Sequence, residues 1–136
     1  MRTKTKEKSL GALIKKVDEQ VSLYVRLTAA DQFGAITCIS CGQRVFWKDA
    51  HCCHFKDRYN MATRFFLPNL AAGCVDCNVY NHYEHITMWQ NKLSPAILNM
   101  LDERSHSLYK FTRPELEDLL NEFTEKVAQR RKQKGL

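Results

Sequence analysis

The chain has 136 residues, which is enough for one domain with a modest core and too few for two ordinary domains, so we predict a single domain over residues 1–136. Lysine and arginine number 21 against 15 aspartate and glutamate residues, giving a formal net charge of +6. This balance favours a polyanionic partner, nucleic acid first, although a basic protein without one would share it. No apolar run suits a signal peptide or a membrane span, so we expect a cytoplasmic protein with no membrane partner.

The first predicted element is an amphipathic helix over residues 9–33. Its apolar side chains recur every three or four residues, which is the spacing of one helix face. Ser9 is the predicted N-cap and Gly34 the predicted stop. We expect this apolar face to be buried, either in the core or in a dimer interface.

The next predicted element is a compact centre over residues 35–90. Cysteines, histidines, aromatics and short apolar pieces replace the helical period there. A helix is predicted near its end, from about Asp76 to Trp89. We expect a metal ion to organise this centre, since its cysteines are closely spaced.

The last predicted elements are helices within residues 94–134. Ser94 and Pro95 read as the N-cap and first position of one helix. Thr112 and Glu115 form the two ends of a capping box that begins another, and this final helix ends in a basic tail.

Two C-x-x-C pairs give the strongest signal in the sequence. Cys38 with Cys41 and Cys74 with Cys77 can present four thiolates to one tetrahedral zinc ion. Four thiolates fill the coordination sphere and leave no position for a reactive water. The pattern therefore predicts a structural Zn²⁺ site.

Other interpretations of the cysteines are two redox pairs or free buried thiols. A redox motif needs only one C-x-x-C pair and normally lies in a βαβ context, which the sequence does not indicate. Cys52 and Cys53 fall outside the spacing and are interpreted as small buried residues, with an exchange for one of the paired cysteines left open.

His54, Asn69 and Asn78 form the candidate catalytic set because of their order around the cysteine pairs. A neutral imidazole can take a proton from a water that attacks a phosphodiester. The Asn78 carboxamide follows the last cysteine directly and could bind Mg²⁺, a hard cation that stabilises developing negative charge. The pattern indicates a scaffold held by zinc and chemistry assisted by magnesium.

These motifs resemble the NinG (Rap) recombination endonucleases of lambdoid phages. That family carries C-x-x-C-G, a G-H-F/Y segment, an Arg-aromatic pair, an Asn and C-x-x-C-N in this order, and the resemblance covers about residues 10–125. The matching segments here are Cys38–Gly42, His54–Phe65, Pro68–Leu70 and Cys74–Asn78. The chain is also similar to phage junction resolvases with a zinc-bound ββα-metal site of the HNH class.

The resemblance implies an α+β protein with a small zinc-stapled ββα-metal (HNH-like) centre between N-terminal and C-terminal helices. It implies a Mg²⁺-dependent endonuclease, with Mn²⁺ as an alternative cofactor, that cuts Holliday junctions and D-loops during phage recombination in the host cytoplasm. Its partner would be branched DNA, and symmetric junction cleavage would favour a homodimer.

Carried over by position, the resemblance implies that His54 is the general base, that Asn69 orders the active-site loop and that Asn78 binds the catalytic metal. Cys53 stands where the family usually has glycine, so the second magnesium ligand stays open. Its candidates are Asp49, Asp57, His51 and His82.

Four arginines are candidate DNA contacts. Arg58 and Arg64 could grip the scissile or a neighbouring phosphate, or could equally be surface or ion-pairing residues. Arg130 and Arg131 in the basic tail could add weak phosphate contacts, or could belong to a solvated helix end.

Two alternatives to a branched-DNA nuclease follow from the same residues. A non-catalytic zinc-ribbon DNA-binding protein would share the charge, the zinc and the helices, but would have no need of His54, Asn69 and Asn78. An HNH endonuclease acting on ordinary duplex DNA would keep the chemistry and change the substrate.

Overall fold

The computed structural model describes residues 8–136, and residues 1–7 of the predicted domain lie outside the described part. Within it the helices are α1 Leu10–Ala29, α2 His82–Gln90, α3 Pro95–Ser105 and α4 Arg113–Lys134. The strands are β1 Ala35–Thr37, β2 Arg44–Phe46, β3 His51–His54 and β4 Leu70–Gly73. No helix in residues 8–136 combines the length and the apolar character that crossing a membrane requires.

Two small antiparallel sheets form the centre of the described chain. β1 pairs with β2, which sets Ile36 opposite Val45, and β3 pairs with β4. The Ile39 N–H donates to the carbonyl oxygen of Ala72 at 3.1 Å and joins the two sheets. Helices precede and follow the sheets, so the predicted α+β class with flanking helices is confirmed.

Three helices begin at the predicted N-caps. The side chains of Ser9, Ser94 and Thr112 each accept a hydrogen bond from a backbone N–H in the first helical turn. The Thr112 N–H in turn donates to the Glu115 carboxylate, so the capping box at α4 is present. These starts were predictable because a cap involves residues only three positions apart.

The end of α1 differs from the prediction. The helix stops at Ala29 and does not reach Phe33. The Asp31 carboxylate accepts hydrogen bonds from the N–H groups of Phe33 and Ala35, which forms a turn before β1. Gly34, with a φ of 79°, belongs to this turn and does not stop the helix.

The apolar face of α1 forms the core together with α4. Leu13, Val17 and Val21 pack in one cluster with Leu116 and Phe123. The C-terminal part of α1 joins a second cluster that includes sheet residues: Leu27, Ala30, Ile36, Trp47, Ala50, Ala72 and Val127. Burial of this face is therefore achieved within one chain.

The helix predicted from Asp76 to Trp89 is divided into two parts. Asp76–Tyr80 forms a π-helical turn, and the Asn81 N–H donates to the carbonyl oxygen of Asp76 at 2.9 Å. The backbone of Asn81 then leaves helical geometry, and α2 begins at His82. The break at Asn81 separates α2 from the π-helical turn, which contains Cys77.

Candidate metal centre and adjoining cleft

The four paired cysteines come together in space. Cys38 follows β1, Cys41 precedes β2, Cys74 follows β4 and Cys77 lies in the π-helical turn. Their sulfur atoms all lie within 4.8 Å of one another, and those of Cys41 and Cys74 are 3.7 Å apart. Tetrahedral zinc with Zn–S bonds of about 2.3 Å places its sulfurs roughly 3.8 Å apart. The group therefore has the dimensions of a four-thiolate zinc centre.

Backbone N–H groups stabilise the sulfurs of this centre. The Gln43 N–H donates to Cys41 Sγ at 3.4 Å, and the Cys77 N–H donates to Cys74 Sγ at 3.5 Å. Burial alone would raise the pKa of Cys38, but hydrogen bonds from backbone N–H groups outweigh burial and lower this pKa to about 7. The thiolate is the form that binds metal, so the surroundings of Cys38 favour the ligand state near neutral pH.

Cys52 and Cys53 lie outside this group. Cys53 is fully buried, and a Cβ added at Gly73 would come within 2.6 Å of its sulfur. Burial raises the pKa of Cys52 to about 12 and also raises that of Cys53, so both thiols stay protonated at neutral pH. Within residues 8–136, the paired cysteines are the only group of three or more histidine, cysteine, aspartate or glutamate side chains close enough to share a metal.

His54 ends β3, and its two ring nitrogens have different surroundings. Nε2 lies 3.1 Å from the carbonyl oxygen of Arg64. Because a carbonyl oxygen only accepts, Nε2 carries the proton and Nδ1 keeps its lone pair. Burial lowers the pKa of His54, an effect partly opposed by the Asp18 carboxylate. The imidazole is therefore neutral at neutral pH and can accept a proton at Nδ1.

Asn69 is fully buried and ties together the loop between β3 and β4. Its Oδ1 accepts from the Lys56 N–H at 2.7 Å. Its Nδ2 donates to the carbonyl oxygens of Lys56 and Thr63 at 3.1 and 3.2 Å. The side chain is thus committed to the backbone of the loop, which is the placement that a loop-ordering residue requires.

A cavity of about 320 Å³ lies beside His54. His51 and Asn78 also line it, and Nδ2 of Asn78 donates to Nδ1 of His51 at 3.0 Å. This contact uses only the amide nitrogen of Asn78. The carboxamide oxygen can still serve as a metal ligand.

A second cavity of about 240 Å³ adjoins the first, and we refer to the two together as the cleft. Both cavities are lined by Cys52, His54, Arg58 and Asn78. Asp57, Tyr59 and His82 line the second cavity only. Asp49 is exposed in the turn before β3 and lines neither cavity, so the structure does not bring it to the other predicted ligands.

Comparison with known proteins places this chain in a family. The family model described as Bacteriophage Lambda NinG protein matches residues 1–133. The chain belongs to the NinG family. A search of curated proteins and a search of solved structures each found no match. The family resemblance that the motifs predicted is therefore confirmed.

Two arginines follow the catalytic histidine candidate in this NinG-family chain, and they have different surroundings. Arg58 is exposed and lines both cavities of the cleft. Arg64 is buried and donates from Nε and Nη2 to the Asp18 carboxylate at 3.0 and 2.5 Å. Arg64 therefore belongs to an internal ion pair, whereas the Arg58 side chain is exposed at the cleft.

The two arginines of the basic tail pack on aromatic rings. Arg130 donates to the Tyr24 hydroxyl at 3.2 Å, and its guanidinium lies 5.4 Å from the centre of that ring. Arg131 lies 5.3 Å from the centre of the Trp47 ring. Neither residue lines the cleft.

Two charged residues of the cleft on α1 were missed by sequence reasoning. Asp18 and Arg26 line the first cavity from α1, outside the family motifs. Arg26 donates to the Trp47 carbonyl oxygen at 3.2 Å and is half-buried. A usable signal existed, because Asp18, Ser22 and Arg26 recur every four residues and form a polar stripe on the helix.

Proposed function

We propose that this NinG-family chain is a metal-dependent endonuclease that hydrolyses phosphodiester bonds in branched DNA, with Holliday junctions and D-loops as substrates in phage recombination. The observation that carries the proposal is the state of His54. Its Nε2 is held by a backbone carbonyl, its Nδ1 is left as the proton acceptor, and it lines a cleft with Asn78 and Arg58. A DNA-binding protein without catalysis has no need of such a base.

The order of elements around the cleft supports an HNH-like interpretation. β3, β4 and α2 follow one another as strand, strand and helix, and His54 lies at the end of the first strand. Asn69 orders the loop between the strands, and Asn78 precedes the helix. This succession corresponds to the ββα-metal centre that the resemblance implies.

The residues of the cleft allow a consistent hydrolytic mechanism. His54 Nδ1 would take a proton from a water molecule as the oxygen attacks the phosphorus. Arg58 and Arg26 would hold the phosphate and offset its growing negative charge. The leaving 3′ or 5′ oxygen then departs with a proton from solvent.

The donor set fits a divalent cation bound by few protein ligands. Mg²⁺ commonly keeps several waters and shares substrate phosphate oxygens, so it needs only one or two protein ligands. Asn78 would hold it, with His82 or Asp57 beside the same cleft, whereas His51 could join them only by releasing its Nδ1 from Asn78. Such a cation, Mg²⁺ or Mn²⁺, supplies charge neutralisation at the phosphate oxygens when bound.

The test is cleavage of a labelled four-way junction and of a matched linear duplex in Mg²⁺. We expect the intact chain to cut the junction and His54→Ala to reduce the rate by at least about a hundredfold, because general-base catalysis contributes that much. His106→Ala removes an exposed histidine outside the cleft and should leave the rate unchanged. Zinc content and junction affinity should be equal in all three proteins.

Other outcomes would favour the alternatives. Equal cleavage of junction and duplex would identify a nuclease for ordinary duplex DNA. Tight junction binding without cleavage by the intact chain would favour the zinc-ribbon DNA-binding protein.

A further inference from the structure

Tyr59 is a large aromatic residue that the fold itself does not use. Its side chain is 83% exposed, although it belongs to the lining of the cleft together with His54 and His82. Exposed aromatic rings of this size gain nothing from packing in the core. The ring of Tyr59 is therefore accessible to a ligand at the cleft.

The turn that carries Tyr59 is held firmly. The Asp57 carboxylate accepts from the Tyr59 N–H at 2.8 Å, and the Asn60 N–H donates to the Asp57 carbonyl oxygen at 2.9 Å. Asn60 also donates from Nδ2 to the carbonyl oxygen of Ser105 at 2.6 Å, which anchors the turn to the end of α3. The ring is thus presented from a fixed backbone, so binding through it costs little ordering of the loop.

The neighbours of Tyr59 indicate what its ring would meet. Arg58 precedes it and lines the same cleft, and Asp57, His54 and His82 complete a polar surrounding. Cys52 also lines this cavity, but most of its lining residues are polar or charged, so the cavity suits an apolar protein side chain poorly. A nucleotide matches both features, because its phosphate suits Arg58 and its base suits an aromatic face.

We propose that Tyr59 stacks on a nucleobase that is unstacked at a DNA branch point, next to the phosphate held in the cleft. This inference rests on the proposed function and adds the feature of the substrate that is recognised. Bases inside a regular duplex keep both faces covered, whereas a base at a junction or a strand opening can expose one face. Stacking on Tyr59 would then favour branched over linear DNA.

The test uses 5-iodouracil as a photo-crosslinking probe at the branch point of a four-way junction and at the same sequence in a linear duplex. The proteins carry His54→Ala to prevent cleavage, alone or with Tyr59→Phe or Tyr59→Leu. Phenylalanine keeps the ring and leucine keeps apolar bulk without it. Phe33→Leu removes another exposed ring, 77% exposed, which lines neither cavity of the cleft.

We expect crosslinks to residue 59, identified by mass spectrometry, with the junction and not with the duplex. Tyr59→Phe and Phe33→Leu should keep the crosslink and the junction affinity. Tyr59→Leu should lose the crosslink and bind the junction about tenfold more weakly, with duplex affinity unchanged. Zinc content and Tm equal to those of the parent would establish that each variant is folded.

The inference is overturned if Tyr59→Leu binds and crosslinks the junction as its parent does. Cleavage assays with His54 restored separate this failure from failure of the nuclease proposal. Normal junction cleavage by Tyr59→Leu would leave the nuclease standing and remove the stacking role. If the crosslink depends on the ring but the intact chain never cleaves, the stacking role would stand and the nuclease proposal would fail. If the chain binds no DNA, both proposals would fail.

Discussion

Asn69 is the buried polar residue on which the shape of the loop before β4 depends. Its amide meets backbone groups of Lys56, near the start of that loop, and of Thr63, near its middle. Buried N–H and C=O groups are costly to leave without partners, so the amide stabilises one loop conformation. Arg64 follows Thr63 directly and its carbonyl oxygen accepts the hydrogen bond from His54 Nε2, so we expect Asn69 to help position the histidine through this segment.

We predict that Asn69→Ala lowers the free energy of unfolding by about 3 kcal/mol, since it leaves one N–H and two C=O groups of the backbone without their partner. Chemical denaturation followed by circular dichroism would measure the loss. Asn121→Ala, at an exposed position of α4, should change stability by less than about 0.5 kcal/mol. Equal effects of the two substitutions would contradict the role of Asn69.

Single residues of the cleft differed in how far the sequence could predict them. The positions of His54 and Asn78 follow from motifs next to the cysteine pairs, so local spacing was sufficient. The partner of Arg64 is Asp18, which lies 46 positions away on α1. No local pattern could select that carboxylate, which is why ion pairing and phosphate binding remained equal alternatives for Arg64.

At the scale of elements, α1 contributes one wall of the cleft as well as half of the helical core. Its buried face contacts α4, whereas its polar stripe, which includes Asp18 and Arg26, lines the first cavity. The pair between Asp18 and Arg64 links this helix to the loop before β4. The helix start was predictable from Ser9 alone, but its end depends on how Asp31 closes the turn into β1.

We predict that Asp18→Asn lowers the free energy of unfolding by about 3 kcal/mol, because it leaves the Arg64 guanidinium buried without a counter-charge. The Arg64 side chain is 10% exposed and the Asp18 side chain 23% exposed. The pair between Glu122 and Lys126 on α4 is a matched control, since its side chains are 52% and 37% exposed. Glu122→Gln should therefore cost less than about 1 kcal/mol.

A double-mutant cycle with Arg64→Met would isolate the interaction in the buried pair. We expect strong coupling between Asp18 and Arg64 and weak coupling between Glu122 and Lys126. Coupling energies of similar size at the two sites would show that Asp18 does not hold the loop against α1.

For the whole molecule, the cysteine group joins segments that are distant in the chain. Cys41 and Cys74 are separated by 33 positions, and the chain between them contains β2, β3, the loop and β4. A metal bound there closes a loop that contains His54 and most of the cleft. The spacing of the cysteines predicted this closure, but the packing of α1 over the enclosed segment depends on tertiary contacts that spacing does not encode.

We predict that the chain binds one zinc ion and that its removal disorders the cleft while α1 and α4 keep part of their helicity. Elemental analysis should find close to one zinc per chain, lost in Cys74→Ser and retained in Cys52→Ser, because Cys52 lies outside the four-sulfur group and keeps its proton. Chelation should lower Tm and abolish the amide protection of β3 and β4 in hydrogen exchange, with protection in α1 and α4 reduced less. Full protection of β3 and β4 in zinc-free protein would mean that side-chain packing alone builds the cleft, and the cysteine group would then have to serve another purpose.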